Sequence, residues 1–395
     1  MDNLGDKQAV VNIGLIGHVD HGKTSVTKML SGKWTDTHSE ELKRGISIRL
    51  GFADTSFYLC PKCNSYGTDE KCSCGGKATF LRRVSFVDAP GHETLMATML
   101  SGSTVMDGAL LIIAANEECP QPRTKEHLLA INMAGVKNVV VVQNKVDLVD
   151  KEKALINYKQ IKGFLKEVGY ENTPIIPISA NMGLNKSGLI QAMEEVIKTP
   201  KRDEKADLFM WVVRSFDVNK PGADISELKG GVLGGTIVKG LLKVGDEIEI
   251  SPVDGGKLIT KVTSLRTEKG ELEIARPGGL VAVATELDSA MTFNDSMKGK
   301  VVGANGKLPE PVSQIELEVT SLERELMKFD KDIFINEPLV LTIGTSTNLG
   351  VVSAIQKNKI KVNLRLKAIV QKEQNVAISR NFQNGWHLYG YGKCL

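Results

Sequence analysis

The octapeptide GHVDHGKT, Gly17 to Thr24, sets two glycines, a lysine and a hydroxyl at the spacing G-x-x-x-x-G-K-[ST]. Gly17 and Gly22 let backbone N–H groups turn inward around phosphates, Lys23 brings a point charge to the β and γ oxygens, and Thr24 offers a hydroxyl to Mg²⁺. Asp20, His21 and Ser25 share this turn and are taken with it as nucleotide-binding. DAPGH, Asp88 to His92, closes the apolar run VSFVDAP. Asp88 can hold Mg²⁺ through water, the N–H of Gly91 can meet a γ-phosphate, and His92 stands where a side chain can position the attacking water. A lone histidine is most often an ordinary surface residue, but its place beside this motif favours catalysis.

NKVD, Asn144 to Asp147, follows the run NVVVVQ. Asp147 can accept hydrogen bonds from the N1–H and N2 amino group of guanine, donors that adenine lacks, so GTP is preferred over ATP. Lys145 can lay its stem along the base, and Ser179, Ala180 and Asn181 can close the pocket through backbone N–H groups. Any of these alone is compatible with a polar turn; in this order they read as a guanine-nucleotide site. Within KRGISIRLGFA, Ser47 can complete a Mg²⁺ shell and order its segment until hydrolysis releases it; the alternative is a strand-start serine.

Four of the six cysteines, Cys60, Cys63, Cys72 and Cys74, fall between residues 60 and 74. As thiolates they can form a closed, tetrahedral, structural Zn²⁺ site. The second pair is C-x-C, a tighter bite than C-x-x-C, and four reduced thiols on a loop are the alternative. The flanking IRLGFADTSFYL and TFLRRVSFVDAP both read as strands, so the cluster is expected at the tip of an antiparallel pair.

The elements that must position these groups follow from periodicity. Short apolar runs (VVNIGLIG, VSFVDAP, GALLIIAA, NVVVVQN, PIIPIS) alternate with stretches of helical spacing (ETLMATMLSGSTVM, RTKEHLLAINMAG, YKQIKGFLKEVGY), the pattern of an α/β domain with a mainly parallel sheet. Gly135 is placed to end one helix. The polar run TPKRDEKAD marks a linker, beyond which short alternating runs separated by NKPGAD, VDGGK and RPGG indicate β structure, broken again at GANGKLPEP. The expected architecture is an α/β GTP-binding domain over residues 1–200, with the cysteine insertion at 60–74, then β-barrels over 201–306 and 307–395.

With 42% apolar and 25% charged residues, the 395-residue chain has the composition of a globular protein. A net charge of +3 requires any nucleic-acid contact to be local. Its apolar runs are far shorter than the roughly 18 residues that span a bilayer, and MDNLGDKQA resembles no secretory signal, so no membrane association and a cytoplasmic location are expected. That location disfavours disulfides.

GHVDHGKT, DAPGHE and NKVD, with two trailing barrels, resemble the translational GTPases of the elongation factor Tu type. KRGISIRLGFA, the cysteine insertion, CPQPRTKEHL, RSFDVNKPG, GGVLGGTIVKG, KVGDEIEI and NVAISR are similar, within that group, to the γ-subunit family of archaeal and eukaryotic translation initiation factor 2. The short N-terminus looks archaeal. The resemblance implies a GTPase that, as a heterotrimer with α and β subunits, carries methionylated initiator tRNA to the small ribosomal subunit. It then hydrolyses GTP after start-codon selection with a hydrolysis-stimulating factor. It further implies Mg²⁺ at Thr24 and Ser47, water orientation by His92, and an apolar gate of Val19 and Ile46. A second Mg²⁺ near Asp20 and the Gly45 carbonyl is also implied. The family usually has threonine in place of Ser47, and the tail NGWHLYGYG is less basic than the family's. The other readings are an elongation-type aminoacyl-tRNA carrier, including the selenocysteine-specific kind, and the GTPase subunit of sulfate adenylyltransferase. Both normally lack the cysteine insertion.

Overall fold

The computed structural model describes residues 7–35, 50–91, 96–220, 222, 224, 228–322, 332–382 and 385–395. The chain divides into two units, residues 9–200 and residues 1–8 with 201–395. The break after Pro200 is where the charged linker places it, but the start of the chain goes with the barrels. Gln8 Nε2 donates to the carbonyls of Arg276 (2.6 Å) and Gly278 (2.8 Å), and the Thr267 hydroxyl donates to the Lys7 carbonyl at 2.7 Å.

The 9–200 unit is built on β1 (Val11–Ile16), β2 (Gly51–Leu59), β3 (Tyr66–Gly67), β4 (Thr79–Asp88), β5 (Gly108–Ala114), β6 (Val139–Asn144) and β7 (Ile175–Pro177), in the order β3-β2-β4-β1-β5-β6-β7. From β4 to β7 the strands are parallel; β2 runs antiparallel to β4 from Gly51↔Asp88 to Leu59↔Thr79, the expected pair. β1, β5 and β6 are buried at every residue, which is why they are mainly apolar runs rather than alternating ones, broken only by the buried Asn12, Gln143 and Asn144. The helices are α1 (Lys23–Ser31), α2 (Met96–Ser103), α3 (Pro122–Met133), α4 (Lys151–Glu167) and α5 (Lys186–Val196).

Proline opens α3, and Gly135, at φ +87°, follows its end in the left-handed conformation that stops a helix. α4 starts well before its periodic stretch because Asp150 caps it, accepting the Lys153 N–H at 2.8 Å. α5 adds a helix to those expected from the sequence, and its Leu189, Ile190 and Met193, at helical spacing, join Ile13, Leu15, Val26, Ile112 and Val142 in one core. Each such buried aliphatic side chain contributes about 1.5–3 kcal/mol, which holds the loops at the strand ends in register.

The other unit holds β8 (Phe209–Phe216), β9 (Val232–Lys239), β10 (Leu242–Lys243), β11 (Glu247–Val253), β12 (Gly256–Thr267), β13 (Gly270–Leu272), β14 (Ile274–Ala275), β15 (Val281–Thr285) and β16 (Val301–Ala304), followed by β17 (Val312–Ser321), β18 (Pro338–Ile343), β19 (Ser346–Gln356), β20 (Lys359–Ala368), β21 (Asn375–Phe382) and β22 (Gly385–Cys394). Strands β11-β16-β8-β9-β15-β12 form a ring closed by β11–β12 pairing, and β17-β20-β19-β18-β21-β22 form a second closed barrel. Each barrel has its own core. Closure explains the period-two pattern: on β20, Ile360, Val362 and Leu364 are buried while Lys359, Lys361 and Arg365 are exposed. No helix among the described residues is long and apolar enough to cross a membrane.

Candidate nucleotide and metal sites

The phosphate loop leaves β1 at Gly17, whose φ is +142° and where a Cβ would lie 2.3 Å from the Ile112 carbonyl, so only glycine fits. Its N–H donates to His127 Nδ1 at 3.3 Å, fixing the imidazole of α3 as an acceptor there. Gly22, at φ +90°, turns the chain into α1. The buried Lys23 ammonium donates to the carbonyls of Gly17 (3.0 Å) and His18 (2.8 Å), lying inside its own loop. A Cβ at Gly91 would stand 2.5 Å from Lys23 Nζ and 3.0 Å from the Val19 nitrogen, so DAPG and the phosphate loop meet backbone to backbone. Val19 and Ser25 are half-buried, and Asp20 is exposed at φ +61°.

Asp88 is buried at the end of β4, and its Oδ2 accepts from the hydroxyls of Thr24 (2.8 Å) and Thr35 (2.6 Å). Hydroxyl and carboxylate oxygens gathered beside a phosphate cradle are the hard donors that Mg²⁺ takes, so the residues present fit that ion. His21 is wholly buried, its Nδ1 3.0 Å from the Ile112 carbonyl and its Nε2 3.3 Å from Glu117. Burial pushes its pKa below the ordinary histidine range, against the opposing pull of the Ile112 carbonyl and Glu117.

Asn144 ties the two halves of the site together. Its Nδ2 donates to the His21 carbonyl at 2.9 Å, and its Oδ1 accepts the Ala180 N–H at 3.1 Å. The phosphate loop and the Ser179–Asn181 loop are thus clamped by one buried side chain. Lys145, at φ +62°, turns the end of β6 into the short 3-10 turn Val146–Leu148, leaving Asp147 exposed. Ser179 is buried, its hydroxyl accepting the Met182 N–H at 3.2 Å, while Ala180 is half-buried and Asn181 exposed. His92, Gly45, Ile46 and Ser47 lie outside the described residues.

The four clustered cysteines come together. Cys60 and Cys74 sulfurs are 3.6 Å apart, those of Cys63 and Cys72 3.5 Å, and all four lie within 4.8 Å of one another. A tetrahedron with Zn–S bonds of about 2.3 Å has S···S edges of about 3.8 Å, so the shortened C-x-C pair still reaches the geometry of a structural zinc. Asn64 at φ +53° and Gly75 at φ +79° make the two tight turns. Hydrogen bonds from the Cys74 N–H and the Cys63 thiol bring the Cys72 thiol down to about 6, while the Cys63 thiol, despite the Ser65 N–H, is pushed up to about 12 by Cys74 and Cys72, so the four sulfurs hold their protons unequally.

Residues 8–199 match the elongation factor Tu GTP binding domain, 230–303 match elongation factor Tu domain 2, and 313–394 match the initiation factor eIF2 gamma C-terminal domain. Translation initiation factor 2 subunit gamma of Methanococcus vannielii is 52% identical, with 99% of this chain and 100% of the relative covered. The chain belongs to the translation initiation factor 2 gamma-subunit family. The gamma subunit of Pyrococcus horikoshii is 51% identical, covering 98% of this chain and 97% of its own. Among solved structures, bacterial selenocysteine-specific elongation factor EF-Sec superposes with a TM-score of 0.77 at 25% identity, over 98% of this chain and 58% of that one. Elongation factor SelB of Methanococcus maripaludis, solved with the GTP analogue GppNHp, gives 0.74 at 23% identity, over 98% and 79%. The elongation-type and sulfate-adenylyltransferase readings give way to the gamma-subunit family, whose members are translational GTPases of initiation.

Sequence reasoning missed Thr35, Glu117 and His127. His127 lies within CPQPRTKEHL, a string noted only for its resemblance; its spacing carries no sign that α3 faces Gly17.

Proposed function

We propose that this gamma-family chain, bound to GTP and joined to α and β subunits in the cytoplasm, carries methionylated initiator tRNA to the small ribosomal subunit. It hydrolyses GTP to GDP and phosphate after start-codon selection, with a stimulating factor. The observation that carries the nucleotide part is the single clamp at Asn144, which joins the phosphate loop to the Ser179–Asn181 loop on a framework where only glycine fits at positions 17 and 91.

In this reading Gly17, Gly22, Lys23 and Gly91 enclose the phosphates, Ser25 and His21 support the loop, and Lys145 and Asp147 read the guanine with Ala180 and Asn181. Thr24, Asp88 and Ser47 hold Mg²⁺, which neutralises phosphate charge, and Asp20 with the Gly45 carbonyl hold a second ion. His92 orients the water, restrained by Val19 and Ile46. Cys60, Cys63, Cys72 and Cys74 hold Zn²⁺ as a structural staple.

The test is filter binding with a non-hydrolysable GTP analogue, comparing initiator and elongator methionyl-tRNA with and without an α subunit. Preference for the initiator is expected. Equal affinity for both tRNAs would sink the assignment.

A further inference from the structure

The cysteine insertion reaches beyond the hairpin that carries it. The Ser187 hydroxyl, in the first turn of α5, accepts the Tyr66 N–H at 2.9 Å and pairs with the Ser65 hydroxyl at 3.1 Å. Beside it, Lys186 Nζ donates to the Thr68 hydroxyl at 2.7 Å. On the cysteine side the chain of contacts continues, with the Cys60 N–H donating to the Ser65 carbonyl at 2.9 Å and the Asn64 N–H to the Cys60 carbonyl at 2.8 Å.

On the other side, α5 follows the loop Ser179–Asn185 directly. The Leu184 N–H donates to the Ser179 carbonyl at 3.0 Å, and Asn185 Nδ2 donates to the Pro177 carbonyl at 2.9 Å. Asn185 sits at the start of α5 at φ +59° and makes no side-chain cap there; beside its bond to Pro177, the first turn is held from outside by the cysteine insertion through Ser187 and Lys186. The far end of α5 is anchored separately: Arg82 bonds Glu194 at 2.7 Å and the Ile197 carbonyl at 2.7 Å. Loss of the Ser187 contact therefore loosens the loop end of the helix without undoing its packing.

We propose that Ser187 is a positioning residue for the guanine nucleotide, transmitting the order of the metal-held cysteine turns to the backbone N–H groups of Ser179–Asn181. This rests on the proposed guanine contact of that loop and on zinc at the four cysteines. The cysteine turns and the base pocket then form one hydrogen-bonded unit, in which loss of the metal speeds nucleotide release.

The experiment uses the full chain, with zinc per chain measured on each sample and GDP release followed by chasing a fluorescent GDP with excess unlabelled GDP. Ser187→Ala is expected to speed release by about 3–10-fold at unchanged zinc content, the effect of losing one partly buried hydrogen-bonded contact. Ser187→Thr, which keeps the hydroxyl, restores the slow rate. Chelation speeds release from the native chain to a similar extent and adds little to Ser187→Ala, because both cut the same connection. Release from Ser187→Ala at the native rate, or effects of chelation and substitution that simply multiply, overturns the proposal. Chain purified without chelator that carries no zinc overturns the metal reading alone, and Ser187→Ala still decides the contact between the turns and the pocket.

Discussion

Replacing Asn144 by alanine separates a clamp from a ligand. Its amide orientation is set by chemistry: the His21 carbonyl needs a donor and the Ala180 N–H needs an acceptor, so Nδ2 and Oδ1 have one assignment that satisfies both, at 2.9 and 3.1 Å. Asn144→Ala strands both partners. A buried group left without its hydrogen bond costs about 1–3 kcal/mol, and half-buried Ala180 can recover part of its share from water, so the sum is about 2–4 kcal/mol. This cost falls on the nucleotide-free chain. Asn144→Asp keeps the acceptor for Ala180 but turns a carboxylate oxygen toward the His21 carbonyl, and is expected to be at least as damaging. Because a chain of two compact units has no single unfolding free energy to read, the assay is local hydrogen exchange of the nucleotide-free protein. Amides of residues 17–24 and 178–184, Ala180 above all, should exchange about 30–1000-fold faster, the equivalent of 2–4 kcal/mol. Unchanged exchange in both segments, with only nucleotide affinity reduced, would refute the clamp and return Asn144 to the role of a simple contact residue.

His92→Ala is expected to leave GTP affinity nearly unchanged and to slow stimulated hydrolysis by about 10² or more, measured as phosphate release; unaltered turnover removes His92 from the mechanism. Metal analysis of protein purified without chelator should find about one zinc per chain, and Cys60→Ser, which alters the wholly buried cysteine, should lower both zinc content and thermal stability. Less than about half an equivalent of zinc with a harmless Cys60→Ser would mean four reduced thiols instead.

The nucleotide motifs were legible because the chemistry restricts residue type at fixed spacing. Gly17 and Gly22 must adopt φ of +142° and +90°, Lys23 must follow at once, and Asp88 and Asn144 must end buried strands, so the requirements are written within a few neighbouring residues. The barrels were legible for a related reason, since a closed sheet buries every second residue and strands such as β20 display it.

What the sequence left open depends on partners far apart along the chain. That C-x-C suffices for four sulfurs to converge depends on the turns at Asn64 and Gly75. That His127 accepts from Gly17, 110 residues away, depends on α3 lying beside β1 and β5. Ser187 meets Tyr66 across 121 residues, a contact that no spacing within α5 announces. The sequence by itself determined the nucleotide chemistry, the order of the domains and the family resemblance. Tertiary structure alone decided that Asn144 is a clamp, that the cysteines form one cluster, and that the cysteine insertion leans on the helix that follows the Ser179–Asn185 loop. The reason is physical: backbone conformation and burial are demanded locally, whereas a hydrogen bond between distant side chains leaves no spacing for a sequence to show.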